Sequence, residues 1–290
     1  MYQIRVPATS ANLGPGFDCL GLALNLYNEF LVEPATETTL LGVEEAYNDS
    51  DNLFLVAYRS TFDNEPLPIQ VTFQTNIPIS RGLGSSSSLI IGGILAGYLI
   101  QEKALEVDAI LEKATAIEGH PDNVSPALLG GLVASYQTIY RKLPVDSSYH
   151  FTLLIPNVKV STEEARAILP DQYSRSVAVS NSAKAILMVD ALQHFNLHQL
   201  RTAATDEIHE PYRKTLIPHF DEVKKILTKN NQGVFLISGS GATCLYISAS
   251  SLSDEERKAI QEMVDWNIQE VSVCESGACI QKEGVWVPVI

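Results

Sequence analysis

The stretch Pro78-Ile79-Ser80-Arg81-Gly82-Leu83-Gly84-Ser85-Ser86-Ser87-Ser88 lies between an extended segment at residues 71–76 and an apolar, helix-compatible run at 89–100. Its two glycines have no side chain, so the backbone can turn tightly there and come close to a ligand. The four serines open the helix, where free N–H groups and the positive end of the helix dipole favour a bound anion. The pattern predicts a phosphate-binding loop made mostly of backbone; the alternative is a turn that only caps a core helix. It lacks the Gly-Lys-Ser/Thr ending of a Walker loop, so it is not an ordinary P-loop.

Composition limits the class of protein. At 290 residues the chain can bury a sizeable core, as one domain or as two closely packed lobes. It is 46% hydrophobic and 19% charged, which is typical of a globular protein. The net charge of −14 argues against nucleic acid or an anionic membrane as a partner, because both require basic surface. No apolar run reaches the roughly 18 residues that suggest a membrane span.

The cysteines and the first residues indicate the compartment. The four cysteines show no metal-ligand spacing and no Cys-x-x-Cys motif. We interpret them as reduced thiols: Cys19, Cys244, Cys274 and Cys279. The opening Met-Tyr-Gln-Ile-Arg-Val-Pro has no signal-peptide pattern. These observations predict a cytoplasmic protein.

Strand-like and helix-like runs alternate irregularly along the chain. Strands are predicted at residues 3–6, 29–32, 69–74, 132–136, 152–155, 234–237, 244–247 and 271–274. Helices are predicted at residues 53–61, 89–100, 107–117, 162–168, 180–194, 220–228 and 253–266. Mixed elements without a regular βα repeat favour an α+β fold over a doubly wound sheet. The polar, turn-rich region at 140–148 is the predicted boundary between two lobes, 1–148 and 149–290.

The N-terminal segment at residues 7–21 reads Pro-Ala-Thr-Ser-Ala-Asn-Leu-Gly-Pro-Gly-Phe-Asp-Cys-Leu-Gly. It is too rich in glycine and proline for a regular element. A loop here would place Asn12 and Asp18 near a ligand. The alternative is a structural hairpin in which both side chains serve the turn.

A second polar segment, residues 117–131, lies between a predicted helix and a Gly-Gly turn. Pro121-Asp122-Asn123 is typical of a helix start with Asp122 as its cap, which is a structural role. A single histidine such as His120 is also more often structural than catalytic.

Two later segments, residues 161–170 and 206–218, each contain an arginine of interest, and a second glycine-rich turn follows them. Residues 161–170 indicate a short capped helix, on which Arg166 is compatible with a plain surface charge. Residues 206–218 are compatible with a helix end where Arg213 favours the C-terminal dipole. The turn Ile237-Ser238-Gly239-Ser240-Gly241-Ala242-Thr243 is compatible with a tight connection between apolar strands.

Five motifs between Pro7 and Thr243 resemble, in the same order, those of the GHMP kinases, the superfamily of galactokinase, homoserine kinase, mevalonate kinase and phosphomevalonate kinase. The first motif and the two arginine strings resemble the homoserine kinases in particular. This chain departs from the usual motifs at Ser87 and Ser88, after the first glycine turn, and at Ser240 and Ala242, in the turn at 237–243. All four residues have small side chains, as the usual motifs do. The resemblance implies the α+β GHMP kinase fold, with an N-terminal lobe like domain 2 of ribosomal protein S5 and a ferredoxin-like α/β C-terminal lobe.

The resemblance also implies how a nucleotide and a metal ion bind. Residues 78–88 would cradle the phosphates of ATP, and Gly239 and Gly241 would face them across a cleft. Ser86 and Glu118 would hold Mg²⁺, with Glu112 as the alternative ligand. Asn52 and Leu53 lie where the adenine pocket of such kinases often begins.

The substrate residues follow from the same resemblance. Arg166 and Arg213 would bind the carboxylate of L-homoserine, and Asp18 its ammonium group. The implied catalytic residues surround the hydroxyl end: Asn12, His120 and Asn123. Asn123 stands where some relatives carry an aspartate base, and an amide cannot accept a proton, so no general base is predicted.

The implied reaction is ATP-dependent phosphorylation of L-homoserine to O-phospho-L-homoserine in threonine biosynthesis. A GHMP kinase for mevalonate or a sugar is the nearest alternative, but mevalonate has no ammonium group for Asp18. A ligand sensor without activity is a second alternative, but a sensor has no need of Glu118 as a metal ligand. No nucleic acid or membrane partner is expected, and a homodimer is compatible with the resemblance.

Overall fold

The structure is a computed structural model that describes residues 1–230 and 232–290 as two β-sheets with helices packed on them. The strands are β1 (Tyr2–Ala11), β2 (Leu20–Pro34), β3 (Thr39–Leu41), β4 (Ile69–Thr75), β5 (Leu132–Tyr136), β6 (Ile139–Leu143), β7 (His150–Pro156), β8 (Gly233–Ile237), β9 (Cys244–Ser248), β10 (Trp266–Val271), β11 (Cys279–Lys282) and β12 (Val285–Pro288). The helices are α1 (Leu53–Arg59), α2 (Ser85–Ile100), α3 (Val107–Glu118), α4 (Pro121–Leu129), α5 (Thr162–Ala167), α6 (Arg175–Gln193), α7 (Leu197–Ala203), α8 (Glu210–Arg213), α9 (Phe220–Thr228) and α10 (Asp254–Met263). Within the described ranges, no helix has both the length and the apolar character needed to span a bilayer.

The first sheet has eight strands and is built around the β1–β2 hairpin. Its main path runs β12-β11-β1-β2-β4-β3, and β5 and β6 continue from the start of β2. β1 extends through Pro7 because the register shifts between Pro7 and Ala8, and such an irregularity tolerates a proline. The expectation of an irregular segment from residue 7 onward is therefore wrong, and the loop is confined to residues 12–19.

Helices α1 to α4 cover one face of this sheet and form a hydrophobic core with it. Phe30, Phe54 and Phe73 pack together there, with ring centroids 5.0 to 5.4 Å apart. The predicted helix start at Ser85 is confirmed, so the serines form the first turn of α2. Because the rest of α2 is buried in this core, the position of that first turn is rigidly held.

The second sheet has four antiparallel strands in the order β10-β7-β9-β8. Along the chain the order is strand, helices, strand, strand, helix, strand. If β7, β8, β9 and β10 are numbered 1 to 4, their order across the sheet is 4-1-3-2, which is the predicted ferredoxin-like arrangement. Both faces are covered: Leu153 and Ile155 belong to the core with α6 and α7, and Leu154 to the core with α9 and α10. This double burial explains why Leu153, Leu154 and Ile155 are apolar in succession instead of alternating with polar residues.

The C-terminal region departs from the prediction. The helix predicted at 253–266 ends at Met263, and Trp266 begins β10. The strand predicted at 271–274 is wrong, because β10 ends at Val271 and only an isolated bridge follows. β11 and β12 were not predicted. They pair with each other, and β11 pairs with β1.

Three strands of the first sheet lie at or beyond the predicted boundary between the lobes: β6, β11 and β12. β6 occupies the first part of the turn-rich region at 140–148. Residues 279–288 pair with the first sheet, although they lie in the predicted C-terminal lobe. The division after residue 148 stays a prediction.

Candidate active site

A cleft of about 480 Å³ brings together segments that are far apart in the sequence. Most of the predicted site residues line it: Asn12, Asp18, Ile79, Ser80, Arg81, Gly82, Leu83, Gly84, Ser85, Ser86, Glu118, His120, Asn123, Arg166, Arg213 and Gly239. The others do not line it: Pro78, Ser87, Ser88 and Gly241. The elements that meet are the β1–β2 loop, the phosphate loop, the α3–α4 connection, α5, α8 and the β8–β9 turn.

The phosphate loop turns sharply into α2. Ser80, Gly82 and Gly84 all have positive φ angles, of 54°, 71° and 66°. Gly84 directly precedes the helix. The first N–H groups of any helix have no intrahelical partner, and here they belong to Ser85 and its neighbours at the cleft wall. This end of the cleft therefore suits an anion.

The second glycine turn packs directly on the phosphate loop. Ser238 Oγ donates to Gly82 O at 2.7 Å, and Thr243 N donates to Arg81 O at 3.1 Å. A Cβ at Gly82 would lie 2.1 Å from Ser238 O, so only glycine fits there. The two turns are thus in contact and form one wall.

Glu118, at the end of α3, contacts the first turn of α2. Its Oε1 accepts hydrogen bonds from Ser86 Oγ at 2.7 Å and Ser87 Oγ at 2.9 Å, and no described residue donates to its Oε2. A serine hydroxyl and a carboxylate are hard oxygen ligands of the kind that Mg²⁺ prefers. The alternative, Glu112, is exposed and does not line the cleft.

His120 and Asp122 form a hydrogen-bonded pair at the start of α4, with Nδ1 and Oδ1 2.6 Å apart. Burial lowers the pKa of His120, but the hydrogen bond and charge of Asp122, with the charge of Glu118, outweigh it and raise that pKa overall. The expectation that Asp122 caps the helix is wrong. The helix begins at Pro121, and the Asp122 side chain holds the imidazole instead.

Asn123 is buried in the first turn of α4 and lines the cleft. Its Oδ1 accepts a hydrogen bond from Thr9 Oγ1 at 2.7 Å. Thr9 N also donates to Leu83 O at 3.1 Å, so β1 connects Asn123 to the phosphate loop. Sequence reasoning missed Thr9, although it lies within the N-terminal segment at residues 7–21.

Arg166 and Arg213 converge near Asp18. Arg166 forms a bidentate ion pair with the Asp18 carboxylate, at 3.0 and 2.7 Å. Arg213 is buried and donates from Nε to Ala165 O at 3.0 Å and from Nη1 to Gly239 O at 2.9 Å. Burial, followed by the positive charge of Arg166, lowers the pKa of Arg213 to about 10. An anion bound beside both guanidinium groups would relieve their repulsion.

Sequence reasoning also missed Phe17. Its ring lies beneath both guanidinium groups, with the centroid 5.7 Å from Cζ of Arg166 and 5.1 Å from Cζ of Arg213. A ring face attracts a cation, so Phe17 holds the two arginines together against their repulsion. The sequence did offer an indication of this role, because Phe17 is an aromatic residue directly before Asp18 in a loop whose turn does not require one.

Asn12 shapes the β1–β2 loop. It has a φ of 72°, its Nδ2 donates to Gly239 O at 2.8 Å, and its Oδ1 accepts from Asp18 N at 3.0 Å. Both ends of the amide are therefore used inside the protein. A direct contact between Asn12 and a substrate stays a prediction.

One part of the cleft is apolar, and the side chains that line it include Val43, Tyr47, Leu53, Phe73 and Leu89. Asn52 lies beside them as the cap of α1: its Oδ1 accepts from Phe54 N at 3.0 Å, and its Nδ2 donates to Tyr47 O at 2.8 Å. Asn52 thus fixes the segment that carries Tyr47 and Leu53.

Comparison with known proteins agrees with this geometry. The family described as GHMP kinases N terminal domain matches residues 52–131, and the family described as GHMP kinases C terminal matches residues 188–265. A homoserine kinase of Clostridium botulinum (strain Langeland) is 38% identical over 293 aligned positions, covering 97% of this chain and 98% of the relative.

Solved structures show the same fold. The crystal structure of homoserine kinase from Cytophaga hutchinsonii superposes with a TM-score of 0.83 at 28% identity, covering 97% of each chain. Mevalonate kinase from Methanococcus jannaschii superposes with a TM-score of 0.69 at 19% identity, covering 94% of this chain and 98% of the other. With the full-length match to a curated relative, these similarities mean that the chain belongs to the homoserine kinase family of the GHMP kinases.

Proposed function

We propose that this protein transfers the γ-phosphoryl group of ATP to the side-chain hydroxyl of L-homoserine, giving O-phospho-L-homoserine and ADP. One observation carries the proposal: a single cleft holds both an anion-binding helix start with Glu118 and the Asp18–Arg166–Arg213 cluster. The first suits a triphosphate, and the second suits a zwitterion with one carboxylate and one ammonium group. A place in threonine biosynthesis and a cytoplasmic location are part of the same proposal.

In the reaction, the substrate oxygen forms a bond to the γ-phosphorus while the bond from that phosphorus to the β–γ bridging oxygen breaks. ADP leaves with the electron pair, and the hydroxyl proton goes to a phosphate oxygen or to water. A loose transition state needs mainly alignment and charge stabilisation. Asn123 can therefore occupy the position of a base without abolishing the chemistry, while His120 and Asn12 orient the hydroxyl end.

The residues present fit a Mg²⁺ ion. Ser86 Oγ and the Glu118 carboxylate lie 2.7 Å apart beside the phosphate loop, and Glu118 Oε2 is free of protein hydrogen bonds within the described residues. When bound, Mg²⁺ would neutralise charge on the β- and γ-phosphates. In the described ranges no cluster of three or more His, Cys, Asp or Glu could hold a metal. Phosphate and water would therefore complete the coordination.

The substrate and the base of ATP would occupy the remaining parts of the cleft. Asp18 is already paired with Arg166, so L-homoserine would bind to a preformed ion pair. Its ammonium group would contact Asp18, and its carboxylate would lie against Arg166 and Arg213. The apolar wall that includes Tyr47 and Leu53 would accept the adenine ring.

The proposal predicts turnover of L-homoserine in a coupled ADP-release assay with Mg-ATP, and little turnover of mevalonate, galactose or L-threonine. Mevalonate lacks the ammonium group that Asp18 needs, and a sugar lacks the carboxylate that the arginines need. Turnover of another alcohol would be consistent with the proposed phosphate loop but would contradict the proposed L-homoserine site. If the protein binds ATP but phosphorylates none of these alcohols, the alternative of a ligand sensor without activity is favoured.

We also propose that two copies associate through the outer face of α6. Val179 and Ile186 are 64% and 71% exposed and lie seven residues apart, so they share one helical face. Arg175 begins α6 and Asp190 lies in its last turn. In an antiparallel pair of α6 helices, Arg175 of each copy faces Asp190 of the other. Both charges oppose the helix dipole. Within its own chain Asp190 accepts from Gln199 Nε2 at 2.7 Å and lies 3.1 Å from His194 Nδ1, so Arg175 is the residue whose placement the single copy does not explain.

The α6 dimer is tested by exchanging these charges. The wild type is expected to be a dimer by light scattering after size exclusion, and Arg175→Asp or Asp190→Arg to be monomeric, because like charges then meet. The double exchange is expected to restore the dimer. Each exchange suits the helix dipole better. Asp190→Arg also loses the hydrogen bond from Gln199, so a monomeric Arg175→Asp variant is the result that a broken helix would not explain. A monomeric wild type, or a double variant that stays monomeric, would refute the proposal.

A further inference from the structure

His209 is a buried histidine next to the arginine cluster, with 0% exposure and no role in the reaction described above. It immediately precedes α8, and Arg213 N donates to its carbonyl oxygen at 2.9 Å, so the two residues share one helical turn. The Asp206 carboxylate accepts from the backbone N–H of His209 at 2.7 Å and of Glu210 at 2.6 Å. The backbone beneath the imidazole is therefore firmly held.

The contacts of the imidazole determine its protonation. Nε2 lies 2.9 Å from Gly14 O, and because a carbonyl oxygen only accepts, Nε2 carries the hydrogen. Nδ1 is buried with no hydrogen-bond partner in the described part of the chain. Burial lowers the pKa of His209, and the opposing charge of Asp206 does not overcome it. The ring is neutral at pH 7 and directs its single donor at the β1–β2 loop.

The same ring packs against Phe17. The two rings are stacked, with centroids 5.5 Å apart and an interplanar angle of 28°. Phe17 in turn lies beneath the guanidinium groups of Arg166 and Arg213. One imidazole thus contacts the loop twice, through its donor at Gly14 and through its face at Phe17, and Asp18 is the next residue.

We propose that His209 is a positioning residue for the amino-acid end of the substrate. By binding Gly14 O and stacking on Phe17, it holds Asp18 and the two arginines in the arrangement that a zwitterion requires. This inference rests on the proposed function. His209 acts through Phe17 and the loop, and it does not touch the substrate or the phosphates.

Two substitutions separate the two contacts. His209→Gln keeps an N–H donor and removes the ring, whereas His209→Phe keeps a ring and removes the donor. We expect each to raise the KM for L-homoserine about tenfold, because a small displacement of the binding groups weakens binding strongly, while kcat and the KM for ATP change less than about twofold. Adding His209→Gln to Phe17→Leu should cost little more, since Phe17→Leu already removes the stack and glutamine keeps an N–H donor for Gly14 O. His194→Gln, at the exposed residue directly after α6, is the matched control and should leave these kinetic constants unchanged.

Three results would overturn the inference: an unchanged KM for L-homoserine in both folded variants, full additivity with Phe17→Leu, or a parallel loss of kcat and both affinities with a lower melting temperature. If His209→Gln does not fold, His209→Phe carries the test, since it keeps a ring against Phe17 and loses only the donor to Gly14 O. If the wild type phosphorylates a different alcohol, the proposed function fails by itself. The same KM comparison on that alcohol then tests His209 separately.

Discussion

Glu118→Gln is expected to lower kcat/KM for phosphoryl transfer by about 100-fold or more without unfolding the protein. The glutamine carbonyl can still accept the hydrogen bonds that Ser86 and Ser87 donate to the carboxylate. What is lost is a negative charge beside the phosphate loop, and with it, under the proposed metal role of Glu118, most of the affinity for Mg²⁺. Metal stabilisation of transferring phosphate contributes several kcal/mol, and about 3 kcal/mol corresponds to about 100-fold.

Glu112→Gln is the matched control for that experiment, because Glu112 is on the same helix but exposed and outside the cleft. It should leave the rate and its dependence on magnesium concentration unchanged. The measurement is kcat/KM over a magnesium titration, with the melting temperature of each variant. If Glu112→Gln lowers kcat/KM more than Glu118→Gln does, Glu112 and not Glu118 is the metal ligand.

The second large effect concerns Arg213. Arg213→Lys keeps the positive charge but loses the paired N–H groups that suit a carboxylate, and a lysine cannot reproduce both bonds to Ala165 O and Gly239 O. Hydrogen bonds to charged groups are worth about 1.5 to 3 kcal/mol, so the KM for L-homoserine should rise roughly 10- to 100-fold. The KM for ATP should change little, since the phosphate loop is untouched.

Arg201→Lys, at an exposed position on α7, controls for the substitution itself. Steady-state kinetics with each substrate varied in turn would make the comparison. An Arg213→Lys variant that binds L-homoserine normally and loses ATP instead would remove Arg213 from the substrate site.

The turn at Gly82–Gly84 and the start of α2 could be predicted because their determinants are local. Gly82, Gly84 and the serine run specify a turn and a helix start within eleven consecutive residues, and the helix does begin at Ser85. The ferredoxin-like order of the second sheet was accessible only through the resemblance, since strand order depends on contacts that no single segment specifies.

Pairings over long sequence distances could not be predicted. Asp18 and Arg166 were assigned to two ends of one substrate, and each proved to be the other's partner in the free protein. Phe17 gains its role only when α5 and α8 bring two guanidinium groups over its ring. β11 was missed because Cys279–Lys282 is a short strand that is defined by its pairing with β1 and β12 and not by a pattern of its own.

That last pairing constrains how the chain can be synthesised and folded. Ile4 pairs with Ile280, so this edge of β1 has no partner until the chain has been synthesised through β11. Topologically, the ferredoxin-like unit is an insertion between strands of the first sheet. Until residues 279–282 emerge, β1 presents an open edge, which is a template for unwanted pairing. Late closure of such a distant contact also slows folding. One edge of β1 is therefore unprotected until β11 has been synthesised.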